Sequence, residues 1–250
     1  LLIYVGTGEN TLRGNVSEGH GMWKWSDGGK TWTFCGLDDT RHITKILFHP
    51  KNPELVYCTA TGHLFGPNEE RGVFRTDNGG KSWKKILFVN DEVGAIDMAM
   101  DPSNPSILYA STWRVKRTPY SMESGGEGSG IWKSTDGGET WKNISRNKGL
   151  PKDTLGNIGL AIAPSNSDRI YAMIESKSGG LFMSQDAGET WTKQNDESKI
   201  RQRGWYFNKV FVDPKNENLV YICNVEFFKS NDAGKTLQQI GTPHGDHHNL

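Results

Sequence analysis

Two groups of side chains in this sequence have the chemistry to hold a ligand. Arg114, Arg117, Tyr120, Arg201, Arg203, Trp205 and Tyr206 combine guanidinium forks with aromatic faces. That combination suits sugars, carboxylates or peptide strands, because it joins bidentate hydrogen bonding to stacking. The second group is the run His244-Gly245-Asp246-His247-His248, made of side chains that ligate zinc and similar ions. If His247 and His248 open a strand they point to opposite faces, so at most one of them joins His244 and Asp246. A hydrogen-bonded loop anchor is the preferred reading of this run, and neither a metal nor a cofactor is expected. Asp38, Glu70 and Glu123 are candidate carboxylates for hydrolysis, which needs two facing each other roughly 5 to 10 Å apart. The glycine-rich run Ser124–Gly130 lacks the lysine of a phosphate-binding loop and no helix follows it, so it reads as a flexible connection.

The elements that must position these groups announce themselves as a repeat. The pattern Ser/Thr-x-Asp-x-Gly-x-Thr-Trp occurs around Asp27, Asn78, Asp136, Asp186 and Asp232, at spacings of 51, 58, 50 and 46 residues. Each copy follows a short apolar run and reads as a hairpin turn. The carboxylate accepts backbone N–H groups, the glycine takes positive φ, and the tryptophan covers the next strand. Three copies depart from the pattern: Trp25 replaces the first hydroxyl, Asn78 the aspartate and Leu237 the tryptophan, so looser turns are expected there. A second repeat interleaves with the first. Proline precedes tyrosine by seven residues at Pro50/Tyr57, Pro102/Tyr109, Pro164/Tyr171 and Pro214/Tyr221. Together they predict four-stranded blades in which the proline turn joins strands A and B and the aspartate turn joins strands C and D. In an antiparallel meander those two turns share one end of the strands, while the B–C loops and the D–A links between blades share the other. All the candidate ligand-binding residues fall at that second, loop-bearing end.

The expected fold is therefore an all-β propeller, a single array over residues 1–250 with about five blades, its ends incomplete and belonging to a larger propeller. The 29 basic and 29 acidic residues cancel, which removes bulk attraction to nucleic acid or an acidic membrane. No apolar run approaches membrane-helix length. Cys35, Cys58 and Cys223 lie in or beside strand-like runs and read as buried apolar residues, with one disulfide as the lesser alternative.

The five aspartate turns resemble the Asp-box, or bacterial neuraminidase repeat. His63–Gly72, Arg117–Ser121 and Thr242–Leu250 resemble secreted bacterial propellers related to the sortilin domain. The resemblance implies an extracytoplasmic protein (secreted, periplasmic or on the cell surface), and for sortilin itself ten blades and peptide binding; it carries over no catalytic residue. Three functions follow: a module binding peptide or glycan on its loop face, a glycoside hydrolase like the Asp-box xyloglucanases or sialidases, and an assembly platform. The Arg-Ile-Pro segment of sialidases is missing, and Arg169-Ile170-Tyr171 falls on a strand. The binding module is the leading expectation and the hydrolase its alternative.

Overall fold

The computed structural model describes residues 2–250; Leu1 lies outside the described residues. Its chain is built from five antiparallel sheets. The first contains β1 (Ile3–Gly6), β2 (Met22–Trp25) and β3 (Thr33–Phe34). The second runs β4 (Ile43–His49), β5 (Asn52–Ala60), β6 (Gly72–Thr76), β7 (Lys84–Leu87). The third contains β8 (Val93–Met100), β9 (Leu108–Arg117), β10 (Met122–Ser124), β11 (Gly130–Ser134) and β12 (Lys142–Asn143). The fourth runs β13 (Ile158–Ala163), β14 (Asn166–Ile174), β15 (Gly180–Ser184), β16 (Thr192–Asn195), and the fifth β17 (Lys209–Val212), β18 (Val220–Cys223), β19 (Phe227–Ser230), β20 (Gln238–Ile240). Sheets two, four and five follow the predicted A-B-C-D meander, and the first presents B, C and D. This is the expected all-β propeller.

Between sheets the core is continuous. Ile170, Ala172, Ile174 and Phe182 of the fourth sheet pack on Tyr109, Ile131 and Ile144 of the third. On its other side, Tyr171, Met173, Leu181 and Met183 pack on Val210, Val220, Ile222 and Phe228 of the fifth. Because side chains alternate along a strand, one apolar run serves both neighbours, which explains the near-continuous burial of the B and C strands. Cys35, Cys58 and Cys223 are buried and unpaired, as the apolar reading expects.

The aspartate turns are held as the pattern predicts. In the third sheet, Asp136 Oδ1 accepts from Thr140 N at 2.9 Å, and Ser134 Oγ accepts from Gly138 N at 2.9 Å while donating to Asp136. The fourth and fifth sheets repeat the set with Ser184–Asp186–Thr190 and Ser230–Asp232–Thr236. Two of the three expected loose turns are not loose. Asn78 accepts from Ser82 N at 3.0 Å and adds an amide bond to Ser82 Oγ, and the turn before Leu237 keeps every bond of its carboxylate. Only the first is reduced, because Trp25 has no hydroxyl to receive the Gly29 N–H.

Two further expectations are corrected at the other end. The segment after Trp113 is not an open loop: β9 continues to Arg117 and folds back on itself through β10, with Glu123 opposite Lys116. The glycine-rich run is pinned, Gly125 N donating to Arg114 O and Gly126 N to Leu155 O.

Candidate functional site

At the loop-bearing end, an open cleft of about 620 Å³ is lined by Arg13, Arg203, Trp205, Tyr206, His244 and Asp246 together with Gly14, Gln202, Phe207, Val225 and Gly245. Four elements build it: the β1–β2 loop, the link from β16 to β17, the β18–β19 loop and the segment after β20. The link turns sharply because Arg203 takes φ 48°, and its carbonyl then accepts from both Tyr206 N and Phe207 N. Across the cleft, Asp246 also stands at positive φ, 81°. Its backbone N donates to Val225 O and that of His247 to Asn224 O. Non-glycine residues in this conformation cost roughly 1–3 kcal/mol each, so the surroundings hold both walls of the cleft in place.

The histidine run serves as the anchor expected of it. His247 Nδ1 meets Val225 O at 3.2 Å and its Nε2 meets Thr242 Oγ1 at 2.9 Å. His248 Nε2 reaches Asp246 Oδ1 at 3.1 Å, and its ring stacks on Phe207 and meets Tyr206 edge-on. Trp205 and Tyr206 have their ring centres 5.5 Å apart.

Of the sequence candidates, Arg203, Trp205, Tyr206, His244 and Asp246 thus converge. The others are placed elsewhere. Arg114 is held by Glu92 at 2.8 Å and Glu123 at 3.2 Å, beside a separate 70 Å³ cavity. Arg201 donates to Ser176 O and Lys177 O, so it fastens the link rather than facing the cleft. Arg117 donates to Arg13 O at 2.9 Å and to Ser121 O, supporting the cleft edge from behind. Tyr120 is 90% exposed at the tip of the β9–β10 hairpin. Asp38 pairs with His20 and Glu123 with Arg114; neither lines the cleft.

Sequence reasoning missed what holds this end together. Leu12 and Val16 of the β1–β2 loop are buried against Leu64, Ile96, Trp113 and Val115, with Met122 and Trp205 packed alongside. This small apolar core ties loops of the first and second sheets to strands of the third and seats the cleft's Trp205. Beneath it, Trp113 Nε1 donates to Ser124 Oγ at 3.1 Å, which in turn donates to Glu175 at 2.6 Å. Burial raises the Glu175 carboxyl above the usual carboxylate range, against those hydrogen bonds. The pattern carried faint signals. Leu12 and Val16 are isolated apolar residues in a polar loop, and Asp97 interrupts the apolar strand β8. Asp97 is buried at a bulge in β8, where Lys209 at 3.2 Å and Lys45 at 3.9 Å flank it along the axial groove.

The fold defines a β-propeller. The model of the Sortilin-Vps10 family (sortilin, neurotensin receptor 3) matches residues 20–150, just over half of the 250 residues, and the chain belongs to that family. Among curated proteins it is similar to the oligoxyloglucan-reducing end-specific xyloglucanase of Emericella nidulans, 26% identical over 197 residues, 72% of this chain and 21% of that protein. It is also similar to the xyloglucanase Xgh74A of Acetivibrio thermocellus, 23% identical over 202 residues, 68% of this chain and 22% of that protein. The chain thus spans about a fifth of the length of the curated relatives it matches. The GH74 xyloglucanase of Xanthomonas campestris superposes with a TM-score of 0.68 at 15% identity, covering 95% of this chain and 36% of that one, a likeness of fold.

Proposed function

We propose that this chain is a glycan-handling propeller and that its loop-end cleft takes the sugar. The observation that carries the reading is the cleft wall itself, where the Trp205–Tyr206 pair offers a face for pyranose rings beside Arg203, Arg13 and His244 as hydrogen-bond donors. The xyloglucanase relatives favour the glycoside-hydrolase reading over the peptide-binding module that the sortilin resemblance implies. In this reading Asp246, the one carboxylate among the residues that line the cleft, faces the bound glycosidic link. The five aspartate turns are structural Asp-boxes with no part in the chemistry. A glycan of the xyloglucan type is an extracellular substrate, so we place the protein outside the cytoplasm; no helix among the described residues is long and apolar enough to cross a membrane.

Glycan and peptide arrays, followed by product analysis on xyloglucan oligosaccharides, test the reading. Trp205→Ala is expected to weaken glycan binding about tenfold or more, and Asp246→Asn to abolish product release while binding persists. Binding without any product reduces the protein to a glycan-binding module. Capture of peptides and no glycan would sink the proposal.

A further inference from the structure

No lysine or arginine among the described residues is buried more deeply than Arg71, 1% exposed, and its guanidinium meets carbonyl oxygens where a carboxylate would be expected. Nη1 donates to Glu92 O at 2.9 Å, and Nη2 to His63 O and Gly66 O at 3.1 Å each. Nε–H finds no acceptor in the protein, so two of the five guanidinium donors stay unmatched. Glu92 and Asp91 are the acids that act on it, but Glu92 is bound to Arg114 at 2.8 Å and Asp91 is exposed. Burial therefore pushes Arg71 down to about 10, well below the usual arginine value.

The position is built by its surroundings. Asn68 Nδ2 donates to the same two carbonyls, His63 O at 2.8 Å and Gly66 O at 2.9 Å, and so fixes the loop that Arg71 enters. Gly62, at φ 64°, leaves room for the stem, since a Cβ there would come within 2.7 Å of Arg71 Cγ.

Arg71 forms part of the wall of the 70 Å³ cavity beside Arg114. The other charged groups of that wall are Arg114, Lys116 and Glu92, and Leu64, Pro67 and Val115 make it apolar elsewhere. Lys116 is exposed and forms no ion pair among the described residues. Three cations thus share one carboxylate. The walls come from the β5–β6 loop, the β7–β8 link and β9, all in sheets two and three in the interior of the array, and no residue lines both this cavity and the cleft.

We propose that this cavity binds a short monocarboxylate of the size of acetate, its oxygens accepting from the unmatched N–H groups of Arg71 and from Lys116 while its alkyl end lies against Leu64, Pro67 and Val115. The volume has room for about four heavy atoms, at one water for each 10–15 Å³ or so. A water would satisfy the N–H groups without supplying charge. Sulfate and phosphate exceed the room, and chloride leaves the apolar wall unused. The proposal does not depend on what the cleft binds.

Isothermal titration calorimetry of the 250-residue protein with sodium acetate tests it, with the bulky sulfonate HEPES holding pH and ionic strength constant. One acetate is expected per chain, with a Kd on the order of millimolar, within the ceiling set by four heavy atoms. Propionate should compete with it and benzoate should not. Arg71→Met is expected to abolish the uptake. Because Arg71 also secures the 63–66 loop, Lys116→Gln is the independent variant: it should weaken acetate about two- to fivefold, as a screened exposed charge does, at the parent melting temperature. The absence of saturable acetate binding overturns the proposal, as does chloride binding as tightly as acetate or an uptake that ignores both substitutions.

Discussion

The two ends of this propeller are built on different physics. At the turn-bearing end each connection is short and closed by its own hydrogen bonds, one carboxylate or amide serving the backbone and hydroxyl four residues on. The carboxylates there are ionised deep into acid: the Thr140 hydroxyl and backbone hold Asp136 down to about 2, and Thr236 does the same for Asp232. At the loop-bearing end several connections are long and are ordered by packing against each other. Leu12 and Val16 from one sheet, Leu64 from the next and Trp113 from a third are ordered by burying each other. Its half-buried carboxylate, Glu175, is shifted the opposite way, upward, because desolvation outweighs its hydrogen bonds. Local bonding makes a turn that tolerates being repeated. Shared burial makes a surface unique to one molecule, which is what a binding cleft requires.

The contrast breaks first at Trp113, 1% exposed in the loop-end core. Trp113→Ala is expected to cost about 3–5 kcal/mol in chemical denaturation, and to loosen the cleft at the same time. A loss confined to the cleft, with stability intact, would mean the loop-end core is only an ornament on the propeller. Next comes Ser184→Ala at a turn, which strands the Gly188 N–H and one bond of Asp186, for about 1–3 kcal/mol. Because the effect is local, ligand binding in the folded variant should match the parent; a shared loss would erase the distinction between the two ends.

A smaller change sharpens it. Ala187 and Ala233 hold φ of 54° and 62° where the other three turns place glycine. Ala187→Gly should therefore add about 0.5–1 kcal/mol, since removing the Cβ relieves the left-handed conformation by more than the added chain entropy costs. Acid titration of the melting temperature separates the ends without mutation. Asp136 and Asp232 have folded pKa values below their unfolded ones, so their contribution is complete above about pH 4 and is lost as pH falls through about 2. Glu175 has the reverse sign: its contribution is present below the unfolded value and is lost as pH rises through the folded one. In Glu175→Gln that loss on the way up from acid should vanish while the decline toward pH 2 remains. An unchanged profile would show that Glu175 does not titrate with folding.

The sequence by itself determined the repeat, and with it the all-β architecture, the strand roles, the placement of Asp27, Asn78, Asp136, Asp186 and Asp232 at equivalent turns, and the segregation of long loops to one end. These were legible because each depends on residues within a few positions of one another, a carboxylate and the amide it accepts or a tyrosine and the turn before it. The sequence also named five of the eleven residues that line the cleft, since arginines and aromatics are conspicuous in loops. Only the tertiary structure decided which of them meet. Arg114 and Arg201 have the same chemistry as Arg203, yet Glu92, Glu123 and two carbonyls engage them while Arg203 is turned into the cleft. Nothing local distinguishes the three. The same holds for Leu12, Val16 and Glu175, whose roles arise from burial by chain far away in sequence, and burial by distant chain leaves no periodicity to read.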